Sequence, residues 1–547
     1  MTSPQLQYLD LTDFSPGIMQ RMMRATTSAG QFPQGAAQET NTYRCISLPG
    51  GGLGPLPKRN TAYSLTEQDT AGQATDDGYY HIVGFYPFGP IQSGSPPGSP
   101  DELHIGVEWV KSATRKFRWL RMRAFNGTNT IDTIRSIDST EPTPSTGLYW
   151  GMSFCTQRMH PTDVTLPGNP VVATSWAAGG GGYEKFVAVF PDPADADSNN
   201  ELALSTTRYG TVVGHQNRVV LLEALAYQHG DPPGATGAVP TNEQVSYTDA
   251  NGMTLGTESA VWMPEFPNGY GAYGSISSGE LFLVKQQGGG VLVQGDIADP
   301  TVFRLPGVAS MGNIGARGAS TPIGFLYPTI IGGLWAWRGA DVSEKISPQL
   351  EDDFFIVSAA GSHQNERVFL AEWNDWCLMS NNWLLDCPTG SFWRIENPSD
   401  FTYLHFHRGF NGNFMYAALP RVEDAATQTF AHDFKRSAPA TSFSWQSHPL
   451  FLDPQDRLIN VREAVLTAQG SGTVTVTITD QAGTTLDTLT FTVTSTTSPQ
   501  RLRKNMTGRN AQHIQVRIQS DSGDTDPAPI VYSLRLGWHQ AMRKATS

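Results

Sequence analysis

The run of short strands and turns between Gly210 and Gly307 constrains this chain more than any other feature. In "GTVVGHQNRVVLLE", Val212 and Val213 precede His215, Gln216 and Asn217, and Val219 to Leu222 follow. Gln244 to Tyr247 stops at Asp249 to Gly252, a turn sequence suited to positive φ. Leu281 to Val284 and Val291 to Val293 flank Gln286 to Gly290 and read as a hairpin. Meandering four-stranded units of this size are the sequence form of β-propeller blades.

The pattern extends in both directions. Tyr79 to Phe85, Leu103 to Val110, Phe117 to Ala124, Gly147 to Phe154, Val171 to Trp176 and Lys185 to Phe190 read as strands joined by loops rich in proline, glycine and acid. "IIGGLWAWRGAD", "ERVFLAEW", "NWLLDCPTGSFWRI" and "FTYLHFHRGFNGNFMYAAL" continue the series, the last as a hairpin turned at Asn411 and Gly412. The 547 residues include 55 Gly, 37 Pro and 13 Trp, which supplies the turns and the large core that such a scaffold needs. A propeller uses about 250 to 350 residues as one closed unit, so residues 61–440 accommodate about six or seven blades.

The last hundred residues change character. Val474, Val476 and Ile478 alternate with threonine, and Leu489, Phe491 and Val493 repeat the alternation after a turn at Asp480 to Gly483. Ile514, Val516 and Ile518 do the same, as do Ile530, Tyr532, Leu534 and Leu536, so residues 441–547 are expected to form a separate β-sandwich. Residues 1–60 read as an arm packed on the main body or on a neighbouring subunit. Within it, Ser15 is placed to cap a short helix beginning at Pro16, with Ile18, Met19, Met22 and Met23 on one side as an intersubunit contact. The fold class is therefore all-β: an N-terminal arm, a β-propeller and a C-terminal β-sandwich.

A net charge of −13 argues against a surface that grips nucleic acid, which needs an excess of Lys and Arg. It suits a wall past which nucleic acid slides, or simply a soluble protein. Cys45, Cys155, Cys377 and Cys387 are too few and too scattered for a disulfide framework or a zinc site, and read as buried small side chains. The N-terminus lacks a signal-peptide pattern, and no window reaches the about 20 apolar residues of a membrane span. Synthesis in the cytosol is the expectation.

Common catalytic spacings are absent, and no cofactor or metal is expected. His405 and His407 share a strand face without a third ligand and read as a structural pair. Asp195, Asp197, Asn199 and Glu201 start a calcium-loop pattern, but Asn200 and Thr206 occupy the positions of its glycine and closing glutamate, so the segment reads as a solvated loop. Trp335, Trp337, Trp373, Trp376, Trp383 and Trp393 read as core between blades rather than a sugar platform. Asp386 to Trp393, "DCPTGSFW", reads as a blade turn.

"DLTDFSPGI" at 10–18, "QETNTYRCISLPGGGLGPLP" at 38–57, "GHQNRVVLLE" at 214–223 and "GGLWAWRGADVSEKISPQLE" at 332–351 together resemble the tail hub or nozzle proteins of short-tailed bacteriophages. "SFSWQSHPLFLD" at 442–453 is similar to phage tail proteins that end in a sandwich module. The resemblance implies a structural virion protein and not an enzyme. It would be assembled in the host cytoplasm as a ring of identical subunits, commonly a homohexamer, around the channel through which genomic DNA passes without specific binding. Portal or adaptor proteins on one side, tail fibres or a distal plug on the other, and the host surface indirectly, are the implied partners. Asp76, Asp77, Asp101, Glu102, Asp352 and Asp353 are the candidate channel or loop acids. Two other readings compete: a minor tail or receptor-binding protein that contacts host glycan, and an extracellular glycan hydrolase on a propeller.

Overall fold

The computed structural model describes residues 6–21 and 32–65, the strands alone between 79 and 277, and 280–541 apart from short breaks, the longest at 353–366. Every regular element among the described residues is a strand. Seven antiparallel meanders, each of four strands, are found among them. Their first strands, Tyr79–Phe88, Met152–Thr156, Tyr209–His215, Tyr270–Ser277, Ala319–Thr321, Arg367–Trp373 and His405–Arg408, touch one another in chain order. The last then meets the first. This is a closed seven-bladed propeller, in agreement with the expected fold class.

Closure uses strands borrowed across the chain. The seventh blade runs His405–Arg408, Phe414–Ala418 and Gln428–Pro439, and its outermost strand is Pro57–Leu65 from the N-terminal side. Arg421–Glu423 leaves that blade to pair with Tyr79–Phe88 of the first, and Gly315–Arg317 lies parallel to Arg367–Trp373 of the sixth. Such pairings use backbone groups that a blade edge would otherwise leave unmatched.

The sandwich has one sheet of Ser442–Gln446, Gln515–Asp521, Gly472–Thr479 and Thr485–Val493. Its other sheet is built on Ile459–Gln469 and Ile530–Gln540, with Gln500–Asn505 at an edge. The arm completes that second sheet. Gln7–Leu11 pairs with Ile530–Gln540 from Gln7↔Trp538 to Leu11↔Leu534, and Leu53–Pro55, hairpinned to Cys45–Ser47, joins it at Val531. The sandwich is therefore not confined to residues 441–547, and the arm is part of its core.

The helix expected after Ser15 is replaced by a turn. Gly17 has a φ of +64°, and the Ile18 amide donates to the Phe392 carbonyl at 2.8 Å instead of to its own segment. Cys45, Cys377 and Cys387 are buried free thiols, as the sequence suggested. Trp373, Trp383 and Trp393 are fully buried and Trp337 nearly so, while Trp335 and Trp376 pack against the same core. Of the DCPTGSFW turn, Thr389 donates to Asp386 at 2.6 Å and the Trp393 indole donates to Ser391 at 2.8 Å.

Candidate functional site: the seam between arm, propeller and sandwich

Over residues 13–21 and 32–56 the arm runs between the two domains, and its side chains make the seam. Phe14 is fully buried and meets the Trp445 ring edge-on at 5.1 Å. The Gln20 and Arg21 amides both donate to the Gln349 carbonyl at 2.9 Å, and the Glu351 amide donates to the Gln20 side chain at 2.6 Å. The Tyr43 amide donates to Ser444 at 2.9 Å and the Arg44 amide to Arg394 at 2.8 Å, with Arg44 at a φ of +58°. A non-glycine residue in that region is uncommon and is held there by its surroundings.

Two ion clusters, each centred on one buried charge, tie the arm to the sixth blade. Glu396, 1% exposed, accepts from Arg44 Nε at 2.7 Å. Its other oxygen lies 2.8 Å from Arg59 Nε, as an ion pair rather than an aligned hydrogen bond. Arg44 also reaches Asp400 at 3.3 Å, and Arg59 lies over the Phe401 ring at 4.5 Å. In the second cluster Arg394 is held by Glu39 and by the Asn381 carbonyl, and its guanidinium lies over Trp383 at 4.2 Å. Burial pulls the Arg394 pKa down and the Glu39 charge opposes that pull. Desolvation offsets much of the attraction in such pairs, so they fix geometry more than they add net stability.

Neutral polar groups extend the seam. The Tyr403 hydroxyl and His432 Nδ1 are 2.7 Å apart. Burial, then the Arg59 charge, push the imidazole down to about 4, while burial and Glu396 push the Tyr403 hydroxyl up. His448 donates from Nε2 to the Met19 carbonyl at 2.7 Å and stacks on Phe32 with centroids 3.6 Å apart. Its pKa is lowered, chiefly by burial.

The residues singled out from sequence fall as follows. Ile18 and Met19 are 0% and 4% exposed and are packed within their own chain, which removes them as an intersubunit contact. Met22, Met23, Asp76, Asp77, Asp101 and Asp353 lie outside the described residues, and Glu102 opens the strand Glu102–Lys111. Asp352 is bound by Lys345 at 2.6 Å and Arg21 at 3.3 Å, and these cations, Lys345 foremost, hold its carboxyl below the usual range. It acts as a tie for the arm. His405 is buried and donates to the Ile82 carbonyl at 2.7 Å, whereas His407 meets Tyr86 edge-on at 4.4 Å, so the two rings serve separate contacts. Of the calcium-like segment only Glu201 is described, at the start of a strand. Sequence reasoning missed Glu39, Arg44, Arg59, Arg394 and Glu396, since their spacing along the chain carries no motif.

No family profile and no curated protein matches the chain. Among solved structures it is similar to the exo-β-1,3-galactanase of Phanerochaete chrysosporium, with 12% identity, 88% of this chain and 100% of that one covered, and a TM-score of 0.28. A family 43 arabinoxylan arabinofuranohydrolase from Bacillus subtilis matches at 11% identity, 87% and 98% coverage and a TM-score of 0.24. The β-propeller domain of Cps50 (Swd1) from Myceliophteria thermophila matches at 9% identity, 69% and 99% coverage and a TM-score of 0.36. Glycoside hydrolases among these neighbours overturn the expectation that the chain is not an enzyme, because the architecture does not separate the two classes. At such identities and scores the likeness assigns neither a reaction nor a substrate to this chain.

Proposed function

We propose that the chain is a structural protein of a tailed-phage virion, a tail hub or nozzle subunit that closes with its copies into a ring around the DNA exit channel. One observation carries this reading. Four of the segments that resemble phage tail proteins, 10–18, 38–57, 332–351 and 442–453, converge on the seam, through Phe14 on Trp445, Tyr43 on Ser444, and Gln20 and Arg21 on Gln349. A chain that spends its arm on welding two domains into one body suits a part that bears load. Charge supports the same reading. Residues 442–547 hold ten Lys and Arg against eight Asp and Glu, and residues 1–60 hold five against three, so the negative charge resides in the propeller, residues 61–440. An acidic wall repels DNA phosphate and lets it pass.

An antibody raised against the chain and applied to phage particles that carry it tests the assignment. Label on the tail axis below the capsid is expected. Particles without label, or with label only at the tail periphery, would overturn it.

A glycan hydrolase is the second reading. It is favoured by Glu372 on an innermost strand of the sixth blade, where Arg408 of the seventh holds it at 2.9 Å. Glycoside hydrolysis requires a second carboxylate at a set separation. Release of reducing ends from a neutral polysaccharide, lost in Glu372→Gln, would put this reading ahead of the first.

A further inference from the structure

We infer that the free edge of the seven-stranded sandwich sheet is a basic strip that docks on the acidic blades of a second copy of this chain, an inference that rests on the proposed assembly of identical subunits. Gln500–Asn505 pairs with Ile459–Gln469 from Ala468↔Gln500 to Glu463↔Asn505, and Asn510–Ala511 pairs with the same strand at Asn460 and Ile459. The two segments lie end to end, and among the described residues no strand pairs beyond them. Residues 500–511, "QRLRKNMTGRNA", hold four cations and no acid, and Arg501, Arg503, Lys504 and Arg509 are all exposed. Arg462, on the adjoining strand, is exposed as well. Arg503 is committed to Glu463, whereas Arg501, Lys504, Arg509 and Arg462 have no carboxylate partner among the described residues.

Charge identifies the partner. Residues 151–300, which run through the second, third and fourth blades, hold fifteen Asp and Glu against five Lys and Arg, a balance of −10. Within one copy the arm bonds to the propeller at Gln349, Phe392 and Arg394, all beyond the fourth blade in the chain. Among the described residues no ion pair joins the basic edge to the propeller of its own copy. The unmatched cations and the acidic blades are therefore complementary between copies, an arrangement that steers encounter and fixes register. Cations on an edge strand oppose backbone pairing, so the contact is made by side chains and not by a shared sheet. Two different patches meet in it, which makes the interface heterologous, the kind that a closing rotation repeats into a ring.

Carbodiimide cross-linking, which joins a lysine amine to a carboxylate it touches, tests the inference on the full chain mixed from isotope-labelled and unlabelled preparations. Mass spectrometry should find Lys504 joined to an Asp or Glu of residues 151–300 in pairs that carry both isotopes. The combined variant R501E/K504E/R509E, which alters exposed side chains only, should unfold as the native chain does. In sedimentation it should need a concentration roughly tenfold or more higher to assemble, and added salt should weaken native assembly. Rings that form equally well in the variant, or Lys504 joined only within its own copy or to another part of a neighbour, would overturn this contact and leave the ring standing. Open head-to-tail chains that the variant abolishes would keep the contact and overturn the ring. A native chain that stays monomeric at every concentration would overturn both.

Discussion

A blade strand and a sandwich strand bury their residues differently. In the sandwich, Gly472–Thr479 alternates buried valines and isoleucine with half-exposed threonines, and Thr485–Val493 does the same. In the sixth blade, Trp383–Asp386 and Ser391–Arg394 are buried at every position, because each blade has a neighbour against both of its faces. A strand with one wet face must alternate, whereas a strand packed on both sides need not. The seam follows the blade rule, since the arm covers a side that would otherwise meet solvent.

The sharpest way to break this comparison is to truncate consecutive residues in each region. Leu384→Ala and Leu385→Ala, both buried, should each cost about 2–5 kcal/mol in denaturant unfolding. In the sandwich, Val476→Ala should cost about 2 kcal/mol and its neighbour Thr477→Ala within about 0.5 kcal/mol. Alternating costs in the blade, or equal ones in the sandwich, would break the contrast.

Glu396→Gln extends the test to the seam. Removing this buried charge leaves Arg44 and Arg59 without their shared partner, and with both arginines partly solvated the loss should be about 2 kcal/mol. A neutral result by the same unfolding measurement would mean that the cluster adds nothing to the join.

His432 gives the seam a pH dependence. Its folded pKa, about 4, lies below the ordinary 6.5, so the imidazole is buried neutral. The stability that follows is fully present above pH 6.5 and is lost as pH falls through about 4, a change of up to about 3 kcal/mol. Replacement by Gln should flatten that part of the stability profile relative to the native chain. Identical acid profiles would contradict it. The smallest effect is expected at Asp352→Asn, about 0.5 kcal/mol and weaker in high salt, because its partner Arg21 is half exposed.

The same difference explains what could be read from sequence. The sandwich strands announced themselves through period two at Val474, Val476 and Ile478, and the blades through their turns and hairpins rather than through alternation. Blade closure by Pro57–Leu65 was hidden, because the pairing partner lies more than 350 residues away and a lone strand does not name it. The short helix expected from Ser15 and Pro16 fails at Gly17, where the segment exchanges its own hydrogen bonds for one to Phe392. Glu396 and Arg394 were silent for the same reason as the closing strand: only the fold brings the arm's Glu39, Arg44 and Arg59 to them. Asp352 looked like a loop acid until Lys345 and Arg21 were placed beside it.

The assembly state of the purified chain tests the functional account most directly. Light scattering combined with electron-microscope class averages should give a closed ring of identical subunits with a central hole. A monomer, or a trimer without an axial channel, would contradict it.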